Sequence, residues 1–197
     1  MKKQIPGFYL TLLFLGFLCQ ALFAQNVLVV YYSRSGHTKA LAHAVADGAK
    51  SVPGTEVRLL AVQNAGNEDV LWADAIIVGS PVYSANVSTE IQNFINHWPF
   101  QEQKLKNKIG AAFVTGGGIS AGEELTQLNI LHSMLIFNMI VVGGENWRSA
   151  FGASGITEEE PFTAEKGEEP VDKQFLNKGT ALGKRVAEVA KQFVREK

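Results

Sequence analysis

Residues 27 to 38 read Val27-Leu28-Val29-Val30-Tyr31-Tyr32-Ser33-Arg34-Ser35-Gly36-His37-Thr38, an apolar, β-branched and aromatic run broken by a short stretch of small and hydroxyl-bearing side chains. The first half lacks polar alternation, as expected of a parallel strand covered on both faces. The second half lets backbone N–H groups approach an anion, and Gly36 permits the tight turn this needs. From Thr38 onward Leu41, Ala44, Val45 and Ala49 recur at helical spacing, so the loop opens onto a helix N-terminus whose free N–H groups and dipole favour a phosphate. Ser33, Ser35 and Thr38 place hydroxyls along that loop, whereas Arg34 and His37 face either the phosphate or water.

Downstream the same grammar repeats. Ser51-Val-Pro-Gly is a turn, and Glu56 to Val62 is a second strand whose charged first half suggests a sheet edge. Residues 63–72 read as a polar connection, and 73–81 as a third apolar strand ending in small residues, followed by Val82, Tyr83, Ser84, Ala85, Asn86 and Val87. Ser88 is a good N-cap for a helix carrying Ile91, Phe94 and Ile95, stopped by Trp98-Pro99. A fourth strand, 109–115, runs into Thr115, Gly116, Gly117 and Gly118, and the next helix carries Leu125, Leu128, Leu131, Met134 and Leu135. Residues 139–142 form a fifth strand. Residues 143–172 show no clear periodicity, a length that suits a functional or oligomer-contact loop. The last helix, 174–195, buries Phe175, Leu176, Leu182, Val186, Val189, Ala190 and Phe193.

Five strands alternating with helices imply a parallel sheet wound on both faces by right-handed crossovers. Its three small-residue loops, 33–38, 80–88 and 115–122, then sit at C-terminal strand ends, where an open α/β sheet binds its ligand. Tyr83 is expected against that ligand, and Trp98 and Trp147 in packing. His132 shares a helical face with Leu128 and Leu135 and reads as a satisfied, partly buried histidine. Asp74 is expected to cap or face solvent, and Glu158 to Glu160 to be a solvated face.

The first 24 of 197 residues are a different material: Lys2 and Lys3, a largely apolar run from Phe8, and Ala24 before Gln25. This is the pattern of a cleaved secretory signal peptide, since the run is short for the roughly 20 residues of a membrane span and no basic stop-transfer cluster follows. The expected domains are therefore a leader, 1–24, and one domain, 25–197, exported and periplasmic with no stable membrane insertion after cleavage. Removing Lys2 and Lys3 takes two of the 18 Lys and Arg and none of the 19 Asp and Glu, leaving a net charge of −3. That balance, with no basic stripe interleaved with aromatics, excludes nucleic acid as a partner. Cys19, the single cysteine, lies in the leader, so the mature chain has no cysteine-based metal site or redox pair.

Over residues 26–197 the chain resembles the flavodoxin-like family, in particular its NAD(P)H:quinone oxidoreductase (WrbA-like) and flavin-reductase branch. Tyr32 to Thr38 looks like the family's FMN phosphate loop, Gly79-Ser-Pro-Val-Tyr like its second loop beside the isoalloxazine, and Thr115-Gly-Gly-Gly like its third. The resemblance implies an α/β, doubly wound five-stranded parallel sheet of strand order 2-1-3-4-5. It implies FMN held by Ser33, Arg34, Ser35, Gly36, His37 and Thr38 at the phosphate, with Ser80, Pro81, Val82, Tyr83 and Ser84 flanking the ring and Thr115, Gly116, Gly117 and Gly118 at its pyrimidine edge. The implied reaction passes a hydride from NAD(P)H through flavin N5 to a quinone or related acceptor, with no catalytic side chain and no metal. The alternative is a flavodoxin-type carrier of electrons between exported redox partners. Where members of that branch carry a His pair before the last strand, this chain has Ile136-Phe137-Asn138, with His132 about a turn earlier.

Overall fold

The computed structural model describes residues 24–163 and 170–194. The leader up to residue 23, Cys19 and the expected last helical residue Arg195 lie outside the described residues. No described helix is long and apolar enough to cross a membrane.

The sheet contains β1 (Gln25–Tyr31), β2 (Thr55–Ala61), β3 (Ala75–Tyr83), β4 (Asn86–Val87), β5 (Ile109–Gly116), β6 (Ile140–Val141) and β7 (Ala153–Ile156). The described helices are α1 (His37–Lys50), α2 (Asn67–Trp72), α3 (Thr89–Asn96), α4 (Glu123–Ile136) and α5 (Lys173–Val194). The path across the sheet is β2-β1-β3-β5-β6, which is the expected 2-1-3-4-5 order, with β1, β2, β3, β5 and β6 in parallel.

The centre of the sheet alternates its apolar side chains between two layers. Val27, Val29, Ile77, Ala111 and Phe113 pack against Leu41 and Val45 of α1 and Leu182 and Val186 of α5. Leu28, Val30, Ile76, Val78, Ala112 and Val114 pack against α2, α3 and α4 through Val70, Ile91, Ile95, Ile130 and Met134. Each such aliphatic side chain contributes about 1.5–3 kcal/mol on burial, so the strands that carry the loops are the most firmly held part of the chain. Helices α1 and α5 nearly touch: a Cβ at Gly183 would stand 1.8 Å from the Val45 carbonyl oxygen, and one at Gly48 1.9 Å from that of Thr180. Only glycine at those two positions permits the approach.

Several expectations are corrected. The polar connection 63–72 contains α2, whose Asp69 carboxylate accepts from the Gly66 N–H at 3.1 Å and closes its first turn. The fifth strand comes in two pieces: β6 pairs with Ile109 and Gly110, the chain leaves the ladder, and β7 returns beside Phe113 to Gly116. The stretch 143–172 therefore holds a sheet strand; Ala-Ser-Gly-Ile is too short and too small to announce itself by pattern. Asp74 pins the sheet's lower end, accepting from the Asn26 N–H at 3.0 Å. Trp98 is buried, as expected, but Trp147 is 81% exposed.

Candidate functional site

Strand register brings three loops level. Tyr31, Gly79 and Phe113 sit side by side at one height of β1, β3 and β5, so the chain leaves these neighbouring strands at nearly the same level. The Tyr32 N–H donates to the Gly79 carbonyl at 3.1 Å, joining the first loop to the second strand. The hydroxyls of Thr38 and Thr115 meet at 2.8 Å in a buried contact, joining the first loop to the third. Val82 lies against Gly116, joining the second to the third.

The first loop ends at Gly36, which caps α1 with φ +98° and has no heavy atom within 4 Å of where a Cβ would stand. No side chain caps α1 and no acid lies in its first turn, whereas α2, α3 and α4 each carry Asp or Glu there. Positive dipole ends attract anions, and α1 alone of these four leaves that end without a built-in carboxylate. The Gly36 N–H donates to Ser33 Oγ at 3.1 Å, which fixes the turn and leaves the Ser33 O–H free to donate outward. Ser35 Oγ lies 3.1 Å from His37 Nδ1, and Arg34 is exposed at the rim. Thr38 is turned inward: its hydroxyl is spent on Thr115, so it braces the loop and offers an outside ligand its backbone N–H. The loop thus fits a phosphate dianion by N–H and hydroxyl donors, with Arg34 and His37 adding charge or hydrogen bonds at the edge.

The second loop is a hairpin. β3 continues through Ser80, Pro81 and Val82 to Tyr83 and returns as β4, with Val82 opposite Val87 and Tyr83 opposite Asn86. Ser84 and Ala85 turn it with φ of 49° and 59°, the left-handed pair of a two-residue hairpin. Ser80 is fully buried and works inside the hairpin, donating to the Pro81 carbonyl at 2.7 Å and accepting from the Ser88 N–H at 2.9 Å. Ser88 in turn caps α3, as expected, accepting from the Ile91 N–H at 3.4 Å. Tyr83 is 43% exposed at the hairpin's tip, free to lie against a planar ligand.

The third loop, 115–122, is strapped from outside by residues following β7. The Gly116 carbonyl accepts from the Thr157 N–H at 3.1 Å, the Gly117 carbonyl from the Glu158 N–H at 2.9 Å, and Glu159 Oε2 from the Ile119 N–H at 2.7 Å. A Cβ at Gly118 would stand 2.8 Å from that same carboxylate oxygen. Glu158 and Glu159, expected to be a solvated face, are therefore part of the loop's support. They lie some forty residues downstream, so no local pattern could have shown it. Sequence reading also missed the tie between Tyr32 and Glu90: the Tyr32 hydroxyl is hydrogen-bonded to that carboxylate, which pushes the phenol's pKa above its ordinary value. An open groove of about 400 Å³ beside this tie is lined by Val62, Ala65, Glu90, Asn93, Phe94 and His97.

Among the described residues no cluster of His, Cys, Asp or Glu is arranged to hold a metal ion. The expected role of His132 is corrected: it is exposed on α4, on the side away from the sheet. Nor do Leu125 and Leu135 belong to the core; Thr126, Gln127, Ile130, Leu131 and Met134 form the buried face of that helix.

Residues 64–153 match the family model described as NADPH-dependent FMN reductase. A protein named flavodoxin from Aquifex aeolicus is 36% identical over 179 residues, covering 86% of this chain and 89% of its own. A protein named NAD(P)H dehydrogenase (quinone) from Afipia carboxidovorans is 30% identical over 198 residues, covering 85% of this chain and 98% of its own. Among solved structures, the WrbA-like flavodoxin from Agrobacterium tumefaciens superposes with a TM-score of 0.68 at 23% identity, covering 86% of this chain and 99% of that one, which speaks to the fold alone. With the loops converging as described and relatives of this identity over most of its length, the chain belongs to the flavodoxin-like family.

Proposed function

We propose that this protein is an FMN-dependent NAD(P)H oxidoreductase that delivers electrons to a quinone or a related small acceptor. The observation that carries the cofactor is the start of α1, an uncapped helix end without acid, lined by hydroxyls and level with two further loops. Bound there, FMN supplies reversible two-electron chemistry at its ring. The chain's own residues do the rest. Ser33, Ser35 and the N–H groups of His37 and Thr38 hold the phosphate, on the turn that Gly36 makes, with the Arg34 and His37 side chains at its rim. Pro81, Val82, Tyr83 and Ser84 flank the ring, while Ser80 keeps that hairpin in shape. Thr115 to Gly118 offer backbone groups to the pyrimidine edge, on a loop whose outer side is already occupied by residues 157–159.

The quinone dehydrogenases among its relatives support the donor and acceptor classes. A second reading, a one-electron carrier, is favoured by the 36% identity to a protein named flavodoxin. An anaerobic stopped-flow experiment separates them: add NADH or NADPH to the FMN-loaded protein, follow the flavin absorbance, then add benzoquinone. Bleaching within seconds and recovery on quinone addition is the expected result. Tight FMN binding without bleaching supports the carrier instead.

We also propose that the protein is exported. Support comes from the leader composition and from β1 opening at Gln25, whose N–H donates to the Gly54 carbonyl at 3.1 Å immediately after the expected cleavage point. Intact mass of protein recovered from its host checks this: a chain starting at Gln25 is expected, and a retained Met1 overturns it.

A further inference from the structure

The groove beside the Tyr32–Glu90 tie lies between the turn at residues 62–67 and α3. Glu90 lines it and takes the hydrogen bond of the Tyr32 hydroxyl, at the start of the phosphate loop. Tyr83 and Arg34 stand near enough to act electrostatically on the same phenol, so the groove adjoins both the phosphate loop and the hairpin expected against the ring. Its volume, about 400 Å³, falls among those of small-molecule sites, which run from about 300 to 1,000 Å³.

The lining suits a neutral, planar base joined to a sugar. Val62 and Phe94 are apolar, and Trp98 braces the Phe94 ring edge-on at 5.7 Å, which makes it a fixed surface for a flat ligand. A carbonyl only accepts, so His97 Nδ1 carries the proton it gives to the Asn93 carbonyl at 2.7 Å, and Nε2 of the neutral ring is left as an acceptor for an exocyclic amine. The side-chain amides of Gln63, Asn67 and Asn93 make no hydrogen bond to another described residue, and each can both donate and accept. Glu90 is the one charged side chain among the lining residues; a carboxylate accepts from the hydroxyls of a ribose and repels a phosphate attached to them.

Building on the reductase reading, we infer that this groove binds the adenosine half of NADH, with Glu90 on the ribose hydroxyls and His97 Nε2 on the adenine amine, and that Glu90 makes NADH the preferred reductant over NADPH. The nicotinamide half then extends toward Tyr83.

Calorimetric titration of the FMN-loaded protein with AMP reads the groove without any hydride transfer. AMP should bind, and Asn93→Trp, which fills the groove from an exposed position on α3, should weaken it by about tenfold or more while FMN content stays unchanged. AMP phosphorylated instead at the ribose 2′ position should bind the native protein about tenfold more weakly, and Glu90→Gln, whose amide oxygen still accepts from Tyr32, should remove most of that difference. In steady-state assays KM for NADPH should exceed KM for NADH, and the same variant should narrow the gap. Absence of AMP binding, AMP binding indifferent to Asn93→Trp, or equal use of NADH and NADPH by the native protein overturns the proposal. If neither nucleotide bleaches the flavin while AMP binds as expected, the reductase reading fails and the adenosine groove stands.

Discussion

The hydroxyls of Thr38 and Thr115, 77 residues apart in sequence, meet at 2.8 Å where both side chains are buried, and this contact ties the phosphate loop to the third loop. A buried hydroxyl that loses its only partner keeps the full cost of leaving water, about 1–3 kcal/mol, whereas removing both partners of the pair removes the debt. Thr38→Val and Thr115→Val should therefore each lower the free energy of unfolding by about that amount, and the double variant should lose clearly less than the sum of the two. Urea denaturation of the four proteins measures it; strictly additive losses would mean that the hydroxyls do not bond. The same contact shows why residue roles were only half legible beforehand. That Thr38 belongs to the site could be read from the hydroxyls after a buried strand. Which way it points depends on Thr115, and that is a matter of sheet register, which one strand's sequence does not carry. Ser80 is the same case, a hydroxyl counted toward the ligand and used to hold a hairpin.

Elements with a strong internal pattern were legible. The β1 stretch, apolar without alternation, is a doubly covered strand, as expected, and the 22-residue α5 buries Phe175, Leu182, Val186 and Ala190 of its expected stripe, while Phe193, expected to be buried, is exposed at its end. The elements that went unread are those whose pattern is short or ambiguous. α2 has six residues, β7 has four, and neither spans enough of its own period to stand above a polar background. α4 was misread for the opposite reason. Its apolar residues are so many that two faces could each pass for the core, and the stripe read from the sequence mixed them: Leu131 and Met134 are buried, whereas Leu125 and Leu135 are exposed. The exposed face is the trace of that ambiguity. The helix pair α1 and α5 was not readable at all as a pair, because the glycines that let them touch look, in sequence, like weak points in two separate helices.

At the scale of the whole molecule the candidate site is a property of the sheet, not of any loop. Its parts leave β1, β3 and β5, central strands whose hydrogen bonds and two apolar layers exist only in the folded state. A ligand that needs all three loops binds the folded chain and not the unfolded one, so it must raise the stability of the whole domain. The gain is RT ln(1 + [L]/Kd), about 2.7 kcal/mol at a ligand concentration of 100 Kd. For a domain of this size each kcal/mol moves the midpoint by roughly 2–4 °C, so saturating FMN should raise the melting temperature by about 5–10 °C. Riboflavin, which has the same ring and ribityl chain but no phosphate, isolates what the start of α1 contributes. It can lie against Tyr83 and the third loop, yet it leaves the N–H groups of His37 and Thr38 without their anion. At equal concentration it should give a much smaller shift, and the difference between the two ligands should shrink when Ser33 and Ser35 are both replaced by alanine. If riboflavin protected the fold as well as FMN does, the hydroxyl loop would not be the phosphate site, and the ring would have to be held by the hairpin and the glycine loop alone.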